Sequence, residues 1–230
     1  MWAQAACPSR YNYRETSTTF NRDLGEFVAN LVTLSRLLLL WLVVALVYFA
    51  TPPGQLLAVV LLILVFVTDG IDGYIARRTG TESLFGALFD IAADRIVELS
   101  LWIVLVDLDL VPLWVPLLFI TRGVLVDAIR DNGVQAQHTQ PFQLMQTPVG
   151  RWLVAGRFMR GFYAVIKAIA FCWMILMLPL PVLWPDLWND WSAVLMFVGL
   201  TFVYLSTLLC VLRGAPVIIE FLLWQGRGRG

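Results

Sequence analysis

TDGIDGYIARRTGTESLFGALFDIAAD, residues 68–94, sets Asp69, Asp72, Asp90 and Asp94 into two otherwise apolar segments. The chain around them makes that placement informative. Of its 230 residues, 60% are hydrophobic and only 14% charged, and the mean hydropathy is +0.78, far from the composition of a soluble globular domain. A carboxylate at mid-membrane costs about 2.5–3.5 kcal/mol on insertion scales, so four of them require compensation. Arg77 and Arg95 can pair with two at most. Two divalent cations match all four, and hard carboxylate oxygens suit Mg2+ or Mn2+.

The spacing agrees with that account. Asp69 and Asp72 lie three apart and Asp90 and Asp94 four apart, so each pair falls on one face of a helix. RRTGTES, residues 77–83, contains Gly80 among polar neighbours and reads as the tight connection of a helical hairpin. The hairpin brings the two pairs together near the membrane surface. Gly70, Gly73 and Gly86 each cost about 1 kcal/mol relative to Ala inside a helix. Together with Ala76 they leave room for a ligand group to approach the backbone, or for helices to pack closely.

Working outward, the sequence predicts an all-α integral membrane protein: six transmembrane helices preceded by an N-terminal interfacial helix. The expected spans are Asn30–Phe49, Leu56–Ala76, Leu84–Val106, Leu113–Ile129, Val154–Leu178 and Ala193–Val211, each close to the roughly 20 residues that cross the hydrocarbon core. Three regions follow: a cytoplasmic N-terminal segment (1–29), a transmembrane catalytic domain (30–212) and a cytoplasmic tail (213–230). The polar stretch before the first span argues against a cleaved signal peptide.

Basic residues crowd the N-terminal segment, Arg77/Arg78, the stretch from Arg130 to Arg151, and the tail from Arg213. The connections Thr51–Gln55, Asp107–Pro112 and Leu178–Asp190 contain no Lys or Arg, so both termini and the aspartates are expected on the cytoplasmic side. The formal net charge of zero gives no case for a nucleic-acid partner. Cys7, Cys172 and Cys210 are an odd, scattered set that implies no disulfide or metal framework. Trp41, Trp114, Trp184, Trp188 and Trp191 stand near span ends and read as interfacial anchors. His138, the one histidine, lies in the polar stretch DNGVQAQHTQPFQ and reads as a solvated loop residue within the 131–150 connection.

The stretch resembles the signature of the CDP-alcohol phosphatidyltransferase family, D-x2-D-G-x2-A-R-x8-G-x3-D-x3-D. Its specified positions are Asp69, Asp72, Gly73, Ala76, Arg77, Gly86, Asp90 and Asp94, with every gap matching. Such agreement arises by chance roughly once in 10¹⁰ starting points. NLVTLSR, residues 30–36 at the start of the first span, and the six-span plan also look like the family, most nearly its phosphatidylglycerophosphate synthase-type members.

The resemblance implies transfer of a phosphatidyl group from CDP-diacylglycerol to an alcohol hydroxyl, with release of CMP, in phospholipid biosynthesis. It implies two Mg2+ or Mn2+ ions held by Asp69, Asp72 and Asp90, and Asp94 as the general base; the sequence alone leaves Asp94 open as a further metal ligand. Asp72, Gly73, Ala76, Arg77 and Gly86 are the candidates for the nucleotide end of the CDP-lipid. Arg78 reads as a charge at a span end. A homodimer in membrane lipid is the assembly the family implies.

A second charged group comprises Arg122, Arg130, Arg151, Arg157, Arg160 and Lys167. Intramembrane cations need anions as much as the reverse. GRFMR, residues 156–160, is similar to the paired-basic stretch of phosphate-accepting members, and Arg157 and Arg160 share a helix face. Arg122, Arg157 and Arg160 are therefore the candidates for an acceptor phosphate, with structural ion pairing as the alternative. Glycerol 3-phosphate is the first choice and an inositol phosphate the second. Glycerophosphate-accepting members usually read D-P-x-A-D-K where this chain has Asp90-Ile91-Ala92-Ala93-Asp94-Arg95, which bears on the acceptor and not on the core chemistry. Glu98, one turn beyond Asp94, is expected to pair with a basic residue of a neighbouring helix.

Two other classes compete. A divalent-cation transporter should place carboxylates towards a second opening or show inverted repeats, and neither is visible. An intramembrane prenyltransferase should carry its aspartate motifs on well-separated helices, whereas here they share one hairpin.

Overall fold

In the computed structural model, the described residues are 13–79, 84–137 and 156–227, with side chains described within 30–69, 86–129 and 156–221 apart from 87, 157 and 220. Among them the secondary structure is helical throughout. The elements are α1 (Tyr13–Phe49), α2 (Pro52–Thr79), α3 (Leu84–Asp107), α4 (Trp114–Gln137), α5 (Arg157–Leu176), the single turn α6 (Leu180–Leu183) and α7 (Pro185–Arg227).

Four of these contain stretches long and apolar enough to cross a membrane: Asn30–Phe49, Pro52–Asp69, Phe158–Leu176 and Pro185–Ile219. α3 and α4, with 24 residues each, match them in length but carry more charge. In the bilayer helix association rests on packing and not on hydrophobic exclusion. Correspondingly, large apolar residues such as Leu38, Trp41, Val60, Ile103 and Phe197 point outward.

α1 shows how the sequence sorts its faces. Thr33, Arg36, Leu40, Val43 and Val47 recur every three or four residues and are buried, the spacing of one helical stripe. α1 stops before Pro52, because the residue preceding a proline disfavours helix, and α2 restarts with Pro52 and Pro53 in its first turn. Gly54 permits that tight return, since a Cβ there would lie 2.7 Å from the Ala50 Cβ.

At the same end of the bundle, Tyr48 donates to Asp107 Oδ2 at 2.6 Å, joining α1 to the end of α3. Asp109 takes a left-handed conformation (φ 56) in the turn that follows. The interior is filled from several helices. Trp102 of α3 is fully buried between Phe119 of α4 and Phe171 of α5, with ring centroids 4.8 and 4.5 Å away.

Several boundaries differ from the sequence reading: α2 begins at Pro52 and α7 at Pro185, ahead of the expected Leu56 and Ala193, because a proline is favoured in a helix's first turn. α1 runs unbroken from Tyr13 through the first apolar stretch, with no separate leading helix among the described residues. α4 continues to Gln137, so the first residues of the expected polar connection are helical, while His138 lies outside the described residues. α7 passes through position 212 and on to Arg227 despite Pro216 inside it. The apolar run VIIEFLLW sustains the helix beyond the proline.

Candidate functional site

α2 and α3 carry their aspartates to one place. The carboxylates of Asp69, Asp90 and Asp94 each offer an oxygen within 4.8 Å of the others. Their side chains are 41%, 49% and 53% exposed, so the group is accessible although it sits between helices. Arg36 of α1 reaches it from the buried side with its own side chain 3% exposed. Nη1 bonds Asp69 Oδ1. Nη2 lies 2.8 Å from Asp90 Oδ1 and 3.1 Å from Asp94 Oδ1. One guanidinium thus ties three carboxylates on two other helices, with one contact to each, an arrangement in which its planar fork fixes geometry as well as charge.

A cavity of about 380 Å³ opens beside this group, lined by Asp69 and Asp94 and also by Arg36, Arg95, Glu98, Arg122, Arg160, Tyr163, Lys167 and Arg213. Carboxylates and cations thus line the same cavity. Glu98 is buried and accepts from Lys167 Nζ at 2.6 Å and from Arg95 Nη1 at 3.4 Å. Arg95 also meets Asp127 of α4 at 3.3 Å. A chain of ion pairs therefore runs from α5 through α3 to α4. Tyr163 presents its ring to two cations, Lys167 Nζ at 4.5 Å and the Arg213 guanidinium at 5.4 Å from the centroid, the attraction expected of a π face.

Of the residues singled out from sequence, Asp69, Asp90 and Asp94 converge, and Arg122 and Arg160 line the cavity next to them. Gly86 lies on α3 one turn before Asp90. Asp72, Gly73, Ala76 and Arg77 are on the helical backbone of α2, and Arg157 is the first residue of α5; their side chains lie outside the described ones. The partner of Glu98 on a neighbouring helix is Lys167. Sequence reasoning did not single out Arg36, Tyr163 or Arg213 for this site. Arg36 could have been found from its place on the stripe Thr33, Leu40, Val43 and Val47, which faces inward.

The donor set fits a divalent metal. Three hard oxygen ligands converge, and three carboxylates against one guanidinium leave two negative charges, the charge of one such ion. The chemistry is that of Mg2+ or Mn2+ sites, which favour carboxylate and phosphate oxygens.

Comparison with known proteins adds a family. The family model of CDP-alcohol phosphatidyltransferases matches residues 26–205. A CDP-diacylglycerol–glycerol-3-phosphate 3-phosphatidyltransferase of Bacillus subtilis is 34% identical over 79 residues, 34% of this chain and 41% of that one. A cardiolipin synthase (CMP-forming) of Streptomyces coelicolor is 33% identical over 132 residues, covering 54% of this chain and 60% of that one. A Rickettsia bellii protein with the same name as the Bacillus one is 30% identical over 111 residues, covering 47% and 60%. The chain thus spans between two fifths and three fifths of the length of these relatives.

Proposed function

The chain belongs to the CDP-alcohol phosphatidyltransferase family, and on that premise we propose that it transfers the phosphatidyl group of CDP-diacylglycerol to the hydroxyl of a phosphorylated alcohol, first of all glycerol 3-phosphate, releasing CMP. The observation that supports this reading is the pairing of a carboxylate cluster with a cavity whose lining also includes Arg122, Arg160, Lys167 and Arg213. A diphosphate and a second phosphate are the ligands such a pair of surfaces accommodates together.

Asp69, Asp72, Asp90 and Asp94 would hold Mg2+ or Mn2+, two ions in all. When bound, such ions polarise the phosphorus under attack and neutralise the leaving phosphate. The protein's part is positioning and proton transfer. Asp94, at the cavity side of the cluster, accepts the proton of the acceptor hydroxyl as its oxygen bonds to phosphorus. The bond from that phosphorus to the CMP oxygen then breaks, and CMP leaves. Arg36 holds the acidic groups in register throughout. Gly73, Ala76, Arg77 and Gly86 flank the nucleotide end, and Arg122, Arg157 and Arg160 receive the acceptor phosphate.

The finer architecture belongs to the same proposal. α3 and α4, about 36 Å long at 1.5 Å per residue, cross the membrane as well and complete six spans, with residues 13–29 at the cytoplasmic interface. The site and both termini face the cytoplasm, and the protein acts as a homodimer.

The test is CMP release from CDP-diacylglycerol in mixed micelles. Turnover should require Mg2+ or Mn2+, require glycerol 3-phosphate, and fall about 10²- to 10⁴-fold in Asp94→Asn, the scale of a lost general base. Full turnover in that variant would remove Asp94 from its role. The Streptomyces relative's name points to a different product, so inositol phosphate and phosphatidylglycerol belong in the acceptor panel. If neither glycerol 3-phosphate nor inositol phosphate supports release, the acceptor is not a small phosphorylated alcohol.

A further inference from the structure

A glycine in a helix interior costs about 1 kcal/mol relative to alanine, and Gly214 sits inside α7 beside the buried Arg213. Its surroundings supply the reason. A Cβ at position 214 would lie 2.6 Å from Arg122 Cγ, 3.2 Å from its Nε and 3.4 Å from its Cδ. The Arg122 side chain therefore runs directly across the bare backbone of α7 on its way to the cavity. Its buried Nε finds no hydrogen-bond partner among the described residues. The space that Gly214 leaves is what admits this path.

We propose that Gly214 is a positioning residue for the acceptor: by leaving no Cβ against α4, it lets the Arg122 guanidinium reach the cavity wall where a phosphorylated alcohol would bind. The proposal rests on the reading of Arg122 as an acceptor-phosphate residue.

The atom nearest the missing Cβ is Cγ, and Cγ moves only if χ1 leaves its rotamer well or α4 and α7 separate. Helix geometry leaves few χ1 wells to choose from, and either movement carries the guanidinium away from its place. The molecule contains its own comparison. Gly161 also follows an arginine, Arg160, on the cavity-lining α5, yet a Cβ there would meet nothing within 4 Å. Gly123, next to Arg122, faces Arg95 at an ordinary 3.6 Å. Among these three glycines, only at Gly214 does an added methyl group collide with a proposed phosphate ligand.

The experiment measures KM for glycerol 3-phosphate and for CDP-diacylglycerol in wild type, Gly214→Ala, Arg122→Ala, the double variant and Gly161→Ala. Gly214→Ala should raise the acceptor KM by about tenfold or more, the worth of one charge-assisted hydrogen bond, and leave the CDP-diacylglycerol KM within about twofold. Arg122→Ala should do the same. The double variant should be no worse than Arg122→Ala, because the Cγ that collides is gone. Gly161→Ala should match wild type.

An unchanged acceptor KM in Gly214→Ala, with Arg122→Ala impaired, overturns the positioning role alone. An additive loss in the double variant overturns it too, since a general packing role adds where a role through Arg122 does not. An unchanged acceptor KM in Arg122→Ala, or no wild-type turnover with either glycerol 3-phosphate or inositol phosphate, overturns the acceptor reading and this proposal with it. Should Gly214→Ala alone fail to fold, melting of the double variant decides: equal to Arg122→Ala supports the contact, and lower overturns it.

Discussion

Arg36 is the residue on which the acidic group depends. Its guanidinium is buried and bridges Asp69, Asp90 and Asp94, so removing it leaves three carboxylates facing one another with no fixed counter-charge. Breaking a buried ion pair costs about 3–5 kcal/mol, and the half-exposed state of these partners lowers that to about 1–3 kcal/mol here. Arg36→Met should therefore lower the melting temperature in EDTA, and Mg2+ should recover much of the loss. Arg36→Lys, with charge but no planar fork, should fall between. Equal melting of wild type and Arg36→Met in EDTA would show that the bridge does not hold the group together. The convergence of Asp69, Asp90 and Asp94 was legible in the sequence because charge in an apolar run is costly and the spacing matches helix periodicity. For Arg36 the inward-facing stripe of α1 offered a signal, but its role as a bridge was not legible. Its partners lie 33 and 54 residues away, a separation no local pattern encodes.

At the scale of elements, α3 is the hub. It presents Asp90 and Asp94 to α1, Glu98 to Lys167 of α5, and Arg95 to Asp127 of α4. The Glu98–Lys167 pair is mostly buried, at 10% and 18% side-chain exposure. Lys167→Met should cost about 2–4 kcal/mol, because Glu98 then keeps only the longer contact to Arg95, and Glu98→Gln on that background should restore part of it. Chemical denaturation in mild detergent reads both; an unaffected Lys167→Met would mean the pair does not fasten α5 to α3. The pairing of Glu98 with a basic residue from another helix could be expected from cost alone. Which helix supplies it depends on packing. Element ends were the least legible. Polarity suggested a loop after Arg130 and a tail after 212, but helical hydrogen bonding persists to Gln137 and Arg227, since polar side chains at a membrane surface need not end a helix.

At the scale of the whole molecule, much of the charge among the described residues gathers about one cavity. The balanced sequence total hides this. Lipid-facing residues stay apolar, as in Leu38, Val60 and Phe197, while α1 to α5 and α7 each place an ionisable side chain in the cavity lining. Burial of so many charges in a small bundle is costly; ion pairs such as Glu98–Lys167 offset part of that cost, and the proposed substrates and metal would offset more. The claim beneath all of this is that the convergent carboxylates are a metal site. Titration of detergent-purified protein with Mn2+, followed by the loss of the free-ion signal in electron paramagnetic resonance, tests it without any substrate. Wild type should bind Mn2+ in competition with Mg2+, and Asp90→Asn should weaken binding by about tenfold or more, as expected for loss of a hard oxygen ligand. Identical Mn2+ binding by wild type and Asp90→Asn, or none by either, would contradict the account.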